Sequence, residues 1–354
     1  MNKIKNLSKT TKSNFITYGI VIAAYILVQI LLSTGNLSSL MQGLLVPLCM
    51  YAILAVSLNL TVGILGELSL GHAGFMCAGA FSSAFFSVCM ENVLPSGVRF
   101  LLALIVGAVV SGVFGILIGI PVLRLRGDYL AIVTLAFGEI IKNVINALYV
   151  GRDSKGFHFS MKDSMSLGME ADGQIIIKGA QGISGTPNDS TFTIGIILLL
   201  LTLVVVLNLM YSRAGRAIMA IRDNRIAAES VGINITKYKI MAFSISAALA
   251  GVAGVLYAHN LSTLTAQPKN FGYNQSIMIL VFVVLGGMGN IRGSVISAII
   301  LTLLPELLRG LADYRMLIYS IVLIVMMLFN WSPKMKVWRE SHSVFKKKNK
   351  TKEA

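Results

Sequence analysis

The strongest constraint on this chain is a recurrence. Apolar runs of about 20 residues return again and again, separated by short polar stretches. The runs cover 15–32, 40–60, 73–90, 98–121, 129–150, 191–211, 239–258, 273–288, 293–308 and 315–331. A helix needs about 20 apolar residues to cross the hydrocarbon of a bilayer. Inside lipid the backbone must satisfy its own hydrogen bonds, which selects helices over open strands. Composition agrees: 55% of residues are hydrophobic and 13% charged, with a mean hydropathy of +0.77. A soluble domain carries about 25% charged residues. The expectation is an all-α polytopic membrane protein with about ten transmembrane helices. Some of these are short or broken by Gly, notably around 66–90 and 273–308.

Charge orients the spans. With both termini placed in the cytoplasm, 21 of the 30 Lys and Arg fall on the inner side, and the short outer loops at 33–39 and 91–97 hold none. That is the asymmetry expected of cytoplasmic loops. The formal net charge of +15 therefore reads as orientation, not as a nucleic-acid surface. The tail "FKKKNKTK" suits a solvated end that touches anionic lipid. The organisation expected is a basic cytoplasmic N-tail (1–14), a transmembrane domain (15–331) and a basic cytoplasmic C-tail (332–354). The first apolar run is long enough to span and shows no small-residue cleavage site, so it reads as a retained helix. Cys49, Cys77 and Cys89 lie in or beside apolar runs without metal spacing, and read as free buried thiols. The loop at 151–190 is too polar to span. It is either an ordinary outer loop or a lid or docking surface for an external partner.

Two stretches do not fit plain membrane helix. The first is "GELSLGHAGF" (66–75), polar and Gly-rich between two apolar runs. Irregular backbone at membrane depth is tolerated where protein or a watery cavity covers it. Its groups either cap a helix break or line a passage. Polar and ionisable residues at this depth are costly and functional by default, so Asn59, Glu67, Ser69, His72 and Glu139 are the pathway candidates. Glu139 and Lys142 are three apart on one helical face and could simply pair. A zwitterionic substrate would want an acid or carbonyls for its ammonium, helix N-termini for its carboxylate and apolar walls. Gly107, Gly112, Gly115, Gly119, Gly251 and Gly254 read as helix packing positions.

The second is "SRAGRAIMAIRDNRIAAESVGINITKY" (212–238). It predicts one short helix over about 214–231, ended by Gly232 at its C-terminus. Ala217, Ala220, Ile221, Ala227, Ala228 and Val231 gather on one face. Arg222, Asp223, Arg225, Glu229 and Ser230 lie mostly opposite, interrupted by Met219 and Ile226. A small-residue face suits a groove on a partner; the alternative is an amphipathic helix on anionic lipid, against which its mostly Ala face gives little membrane binding.

The spacing Ala227-Ala228-x-x-x-Gly232 resembles the "EAA…G" cytoplasmic signature of ABC importer permeases, with Ile226 where the acid usually stands, an absence common in one branch. The run 215–258, "LNLTVGILGELSLGHAGFMCAGAF" (58–81), "RGDYLAIVTLAFGEIIKNV" (126–144) and "VLGGMGNIRGSVISAIIL" (284–301) are together similar to the inner-membrane permeases of branched-chain amino acid ABC importers, over about residues 40–330. Of the two related permeases in such importers, the chain resembles the longer one, with the extended outer loop. The resemblance implies half of a translocation pathway in the bacterial inner membrane. Its partners would be a second homologous permease, two cytoplasmic ATPases and an external substrate-binding protein. The 214–232 helix would couple to the ATPases, with Arg216, Ala217, Ile221, Arg222, Arg225, Ala227, Ala228 and Gly232 as the residues concerned.

No G-x-x-x-x-G-K-[ST] run is present, so ATP is expected on partner subunits and no cofactor or metal on this chain. An intramembrane enzyme would need a motif such as H-E-x-x-H. Here His158 and His259 fall in outer loops and His342 in the tail, leaving His72 alone among the spans. A secondary transporter would need coupling-ion acids in its core and would leave 214–232 without a role. Urea or short amides are the competing cargoes.

Overall fold

The computed structural model describes residues 9–35, 38–91, 93–125, 127–169 and 173–308, and scattered positions from 314 to 328. The C-tail, residues 1–8 of the N-tail and most of the expected span 315–331 lie outside the described residues. The chain divides into a main body, residues 1–300, and a second unit, 301–354. In the second unit the description is confined to the end of one helix and isolated helical positions.

Helix α1 (Lys9–Ser33) is followed by α2 (Ser39–Asn59). Ser38 starts α2 by accepting from the Met41 amide at 3.4 Å, the usual satisfaction of an unpaired first-turn donor. Without interruption α2 widens into a π-helix, Leu60–Leu65. Gly66 ends it with φ +80, a left-handed conformation that costs Gly nothing. The amide of Glu67 closes back onto the Thr61 carbonyl at 3.1 Å. Residues 66–71 are not helical. Then come α3 (His72–Cys89), α4 (Ser96–Val122) and α5 (Asp128–Ala147).

The segment after α5 departs from the all-helical expectation. Strands β1 (Tyr149–Asp153), β2 (Gly156–Ser160), β3 (Gln174–Lys178) and β4 (Ile183–Ser184) form an antiparallel sheet. The fifth span, expected over 129–150, therefore stops at Ala147, and Tyr149 and Val150 belong to the sheet. Aromatic and β-branched residues favour such a half-buried pleated surface; Val150, Ile176, Ile177 and Ile183 are buried.

Helix α6 (Phe192–Tyr211) leads to α7 (Arg213–Asp223), α8 (Arg225–Ser230) and α9 (Ile235–Ala258). Strand β5 (Thr263–Leu264) adds to β4, giving the order β2-β1-β3-β4-β5. The described residues of 151–190 thus include strands of a sheet that is tied to the segment after α9. The chain continues through α10 (Pro268–Phe271), α11 (Tyr273–Gly286) and α12 (Ile291–Leu307).

Among the described residues, six helical stretches are long and apolar enough to cross a membrane: Ser39–Leu65, α3, α4, α5, α6 and α9. The apolar part of α1 and helices α11 and α12 are shorter. The core forms where α9 packs against α2, α3 and α4. Its closest approaches are at glycines. A Cβ on Gly79 would lie 2.5 Å from the Cα of Gly251, and one on Gly254 would lie 2.2 Å from the carbonyl oxygen of Met76. Ser111 of α4 donates to the Phe75 carbonyl at 2.8 Å. Small residues allow this approach, and a hydroxyl crossing between helices adds to it. The packing role expected for Gly107, Gly115, Gly251 and Gly254 is what the structure shows. Cys49, Cys77 and Cys89 are free thiols.

Candidate functional site

The 212–238 segment is two helices, not one. Asn224 is extended, at φ −155 and ψ 105, and its side chain accepts from the Ala227 amide at 3.1 Å. An Asn that caps a new helix interrupts the old one, because its side chain replaces the preceding turn's carbonyl. Ser212 caps α7 by accepting from Gly215 at 3.1 Å. Asn234 caps α9 by accepting from Lys237 at 3.0 Å. Gly232, at φ +86, ends α8. The Ile233 amide reaches the Ala228 carbonyl at 3.1 Å and the Gly232 amide reaches that of Glu229 at 3.0 Å. This paired closure satisfies carbonyls left open at a helix end.

The break turns the two halves differently. Ile218, Ile221, Ala228 and Ile235 are buried; Ala220, Ile233 and Tyr238 pack around Ile221, Ala228 and Ile235. Ala217 is half-buried, and Arg216 and Ala227 are exposed. Ile226 is 81% and Val231 74% exposed. The expected single face therefore holds for Ile221 and Ala228 but not for Ala227 or Val231. The buried Ile218 was not on it. Arg225 is half-buried.

Arg222 reaches away from α7. Its Nη1 donates to the Gly63 carbonyl of the π-helix at 3.0 Å, while Nε and Nη2 hold Asp223 Oδ1 at 3.0 and 2.9 Å. A π-turn leaves carbonyls less tightly engaged than an α-turn does, and such turns concentrate at functional positions.

The polar residues of 59–75 are nearly all engaged. Asn59 donates to Ser294 Oγ at 2.8 Å and accepts from the Gly289 amide at 2.8 Å. Glu67 pairs with Lys239, one turn inside α9 and buried. His72 meets Ser57 Oγ at 2.7 Å. The Ser57 hydroxyl donates to Leu54 and its carbonyl accepts from Ser246 at 2.6 Å. With the Ser57 proton committed to Leu54, His72 donates from Nε2. Ser69 is the exception: its hydroxyl is buried and has no partner. Leu70 and Ala73 donate from their amides to Thr134 and Ser276, each at 3.0 Å.

Glu139 pairs with Lys142, as spacing suggests, and also accepts from the Tyr273 amide at 2.7 Å, holding the start of α11. The five pathway candidates lie on α2 (Asn59), the non-helical stretch 66–71 (Glu67 and Ser69), α3 (His72) and α5 (Glu139). A cavity of about 360 Å³ lies between α3, α4, α5 and the first three strands; its walls include Phe81, Phe85, Phe114, Ile140 and Ile177, and none of the five lines it. Among the described residues no group of His, Cys, Asp and Glu is placed to hold a metal.

Several participants escaped sequence reading. Lys239 is the partner of Glu67; its signal was a lone Lys inside an apolar run, which requires a buried counter-charge. On the sheet side, Arg99 pairs with Asp189 at 3.1 Å. His259 lies between Ser87 Oγ (2.8 Å) and the Val255 carbonyl (3.0 Å).

Residues 40–330 match the family model described as branched-chain amino acid transport system / permease component. The chain is 35% identical over 292 residues to the high-affinity branched-chain amino acid transport system permease protein LivM of Salmonella typhimurium, covering 80% of this chain and 66% of that one. It is 24% identical over 286 residues to the LivH permease of Escherichia coli, covering 78% and 88%. A shorter likeness, 34% over 123 residues, is to the ribose import permease protein RbsC of Escherichia coli, covering 33% and 38%. The chain thus spans 66% of the length of LivM. No solved structure matches. By its match over 40–330, the chain belongs to the branched-chain amino acid transport permease family.

Proposed function

We propose that this chain is a permease subunit of an ATP-driven importer for branched-chain amino acids (Leu, Ile, Val), forming half of the translocation pathway. The likeness to LivM over 80% of the chain supports the cargo and does not favour urea or amides. The likeness to both LivM and LivH supports a homologous second permease as neighbour. Two cytoplasmic ATPases and an external binding protein complete the assembly, and ATP binds to the ATPases. The bilayer is the bacterial inner membrane, crossed about ten times, with both termini in the cytoplasm. On this reading the shorter helices α1, α11 and α12 and the apolar run 315–331 would add four crossings to the six long helices.

The observation that carries the reading is the α7–α8 segment. It is capped at both ends, buries Ile218, Ile221 and Ala228 inward, and leaves Arg216, Ile226, Ala227 and Val231 on its surface. The buried Ile218, Ile221 and Ala228 fix the segment to the protein, and the exposed Ile226, Ala227 and Val231 beside Arg216 support a surface that fits a groove on a partner. ATP-driven closure of the ATPases would push this segment and shift the permeases between two states.

The test is a reconstituted importer carrying Ala227→Trp. Ala227 is exposed, so the change reaches a partner before it reaches the fold. The expected result is loss of substrate-stimulated ATP hydrolysis with normal assembly; unchanged stimulation would refute docking here. The ligand of the external binding protein tests the cargo.

A further inference from the structure

The α7–α8 segment does not merely rest beside the broken helix; it is bonded to it. Arg222 Nη1 takes the Gly63 carbonyl inside the π-helix. The Arg222 stem also lies against Gly66, where an added Cβ would come 2.5 Å from its Cγ. Five residues after the end of α8, helix α9 begins, and its buried Lys239 holds Glu67, the residue next to Gly66. The turn at 63–67 is thus held by Arg222, at the end of α7, and by Lys239, one turn into α9. On its other flank Asn59 bonds Gly289 and Ser294 across the α11–α12 turn. Downstream, 68–71 carries no helix, and then α3 begins.

We infer that Arg222 and Lys239 are positioning residues that carry displacement of the α7–α8 segment into the 63–67 turn, and through it to the irregular stretch 68–71 and the start of α3. This rests on the coupling role proposed above and names the route out of it. Three features make the route mechanical. Arg222 splits its guanidinium between Asp223 on its own segment and Gly63 on the turn, a rigid planar bridge that a Lys cannot reproduce. The turn ends in a left-handed Gly, a backbone position able to absorb dihedral change. The Glu67–Lys239 pair is partly buried, with Lys239 the more enclosed, and partly buried pairs are screened less than exposed ones. Ser69, buried and unpartnered, sits within the stretch that would move.

The experiment uses the reconstituted importer and reads transport per ATP hydrolysed. Arg222→Lys keeps the charge and loses the bridge. Glu67→Gln with Lys239→Met removes the pair without leaving a lone charge, and Glu67→Lys with Lys239→Glu restores it reversed. Transport per ATP is expected to fall about tenfold in Arg222→Lys and in the neutral double variant, within the usual range of coupling between sites. The reversed pair is expected to recover part of it. A spin label at position 70 is expected to change mobility between ATP-bound and nucleotide-free importer, and to lose that change in Arg222→Lys. A normal ratio and an unaltered label response in assembled Arg222→Lys would overturn the inference. Should Arg222→Lys fail to assemble, the label response in the neutral double variant decides in the same way. Failure of the coupling role itself shows differently, as an Ala227→Trp importer that still couples.

Discussion

Replacing Gly79 by Ala tests whether the glycines of α3 and α9 are contact points or incidental. A methyl on Gly79 would sit 2.5 Å from the Cα and 2.7 Å from the carbonyl oxygen of Gly251. Ordinary carbon–carbon contact is about 3.5–4.0 Å, so the two backbones must part by about 1 Å or α3 must slide. Both atoms met are backbone, and no side chain can rotate aside. Overpacking of this kind costs about 1–3 kcal/mol. Opposing it, Ala is a better helix former than Gly by about 1 kcal/mol.

Gly112 of α4 is the control. Its added Cβ would meet Ala248 Cβ at 3.4 Å and the Ser244 carbonyl oxygen at 3.9 Å, both ordinary contacts. There the propensity gain stands almost alone, so Gly112→Ala is expected to be neutral or stabilising by up to about 1 kcal/mol. The two variants should differ by about 1–3 kcal/mol, or roughly 2 °C or more in midpoint. The assay is thermal unfolding of the purified protein in detergent, followed by the fraction that remains monodisperse on size exclusion. A Gly79→Ala protein melting at or above Gly112→Ala would refute the close-packing argument.

Lys239→Met leaves the partly buried Glu67 without its counter-charge and is expected to destabilise by about 1–3 kcal/mol, whereas Lys239→Met with Glu67→Gln should lie much nearer the parent; detergent melting curves compare them. Gly66→Ala forces a left-handed Ala and pushes on Arg222, and should cost about 1–3 kcal/mol, measured the same way. His259, just past α9, is held below its ordinary pKa of 6.5, first by burial and further by Arg99, with the Val255 carbonyl and Asp189 opposing. As pH falls through about 6.5 the unfolded chain takes up a proton that folded His259 refuses, so stability drops toward acid. His259→Gln should flatten that decline in melts taken from pH 7.5 to 5.

Much of the architecture follows from sequence pattern alone. Long apolar runs dictate helices because lipid offers the backbone no other partner, and this holds whatever the neighbours are. The positions of α2, α3, α4, α6 and α9, the Gly232 closure and the Glu139–Lys142 pair are all local, set within one helix or one turn. The break at Asn224 was legible in principle, since Asn favours caps, but an Ala-rich run on both sides masked it. The sheet at 149–184 was hidden for another reason. Its strands are short, and β5 comes from a segment some 80 residues later in the chain than β4.

The polar residues mark the boundary. Residue type and depth alone single out Asn59, Glu67, Ser69 and His72 as unusual. Composition cannot say that Asn59 spans to Gly289 and Ser294, that Glu67 meets Lys239, or that His72 meets Ser57. Each of those partners is fixed by which helices pack together, and packing depends on shape across distant segments. The same holds for Arg222: its sequence position suggests a surface that meets a partner, and only the packed molecule turns it back onto Gly63.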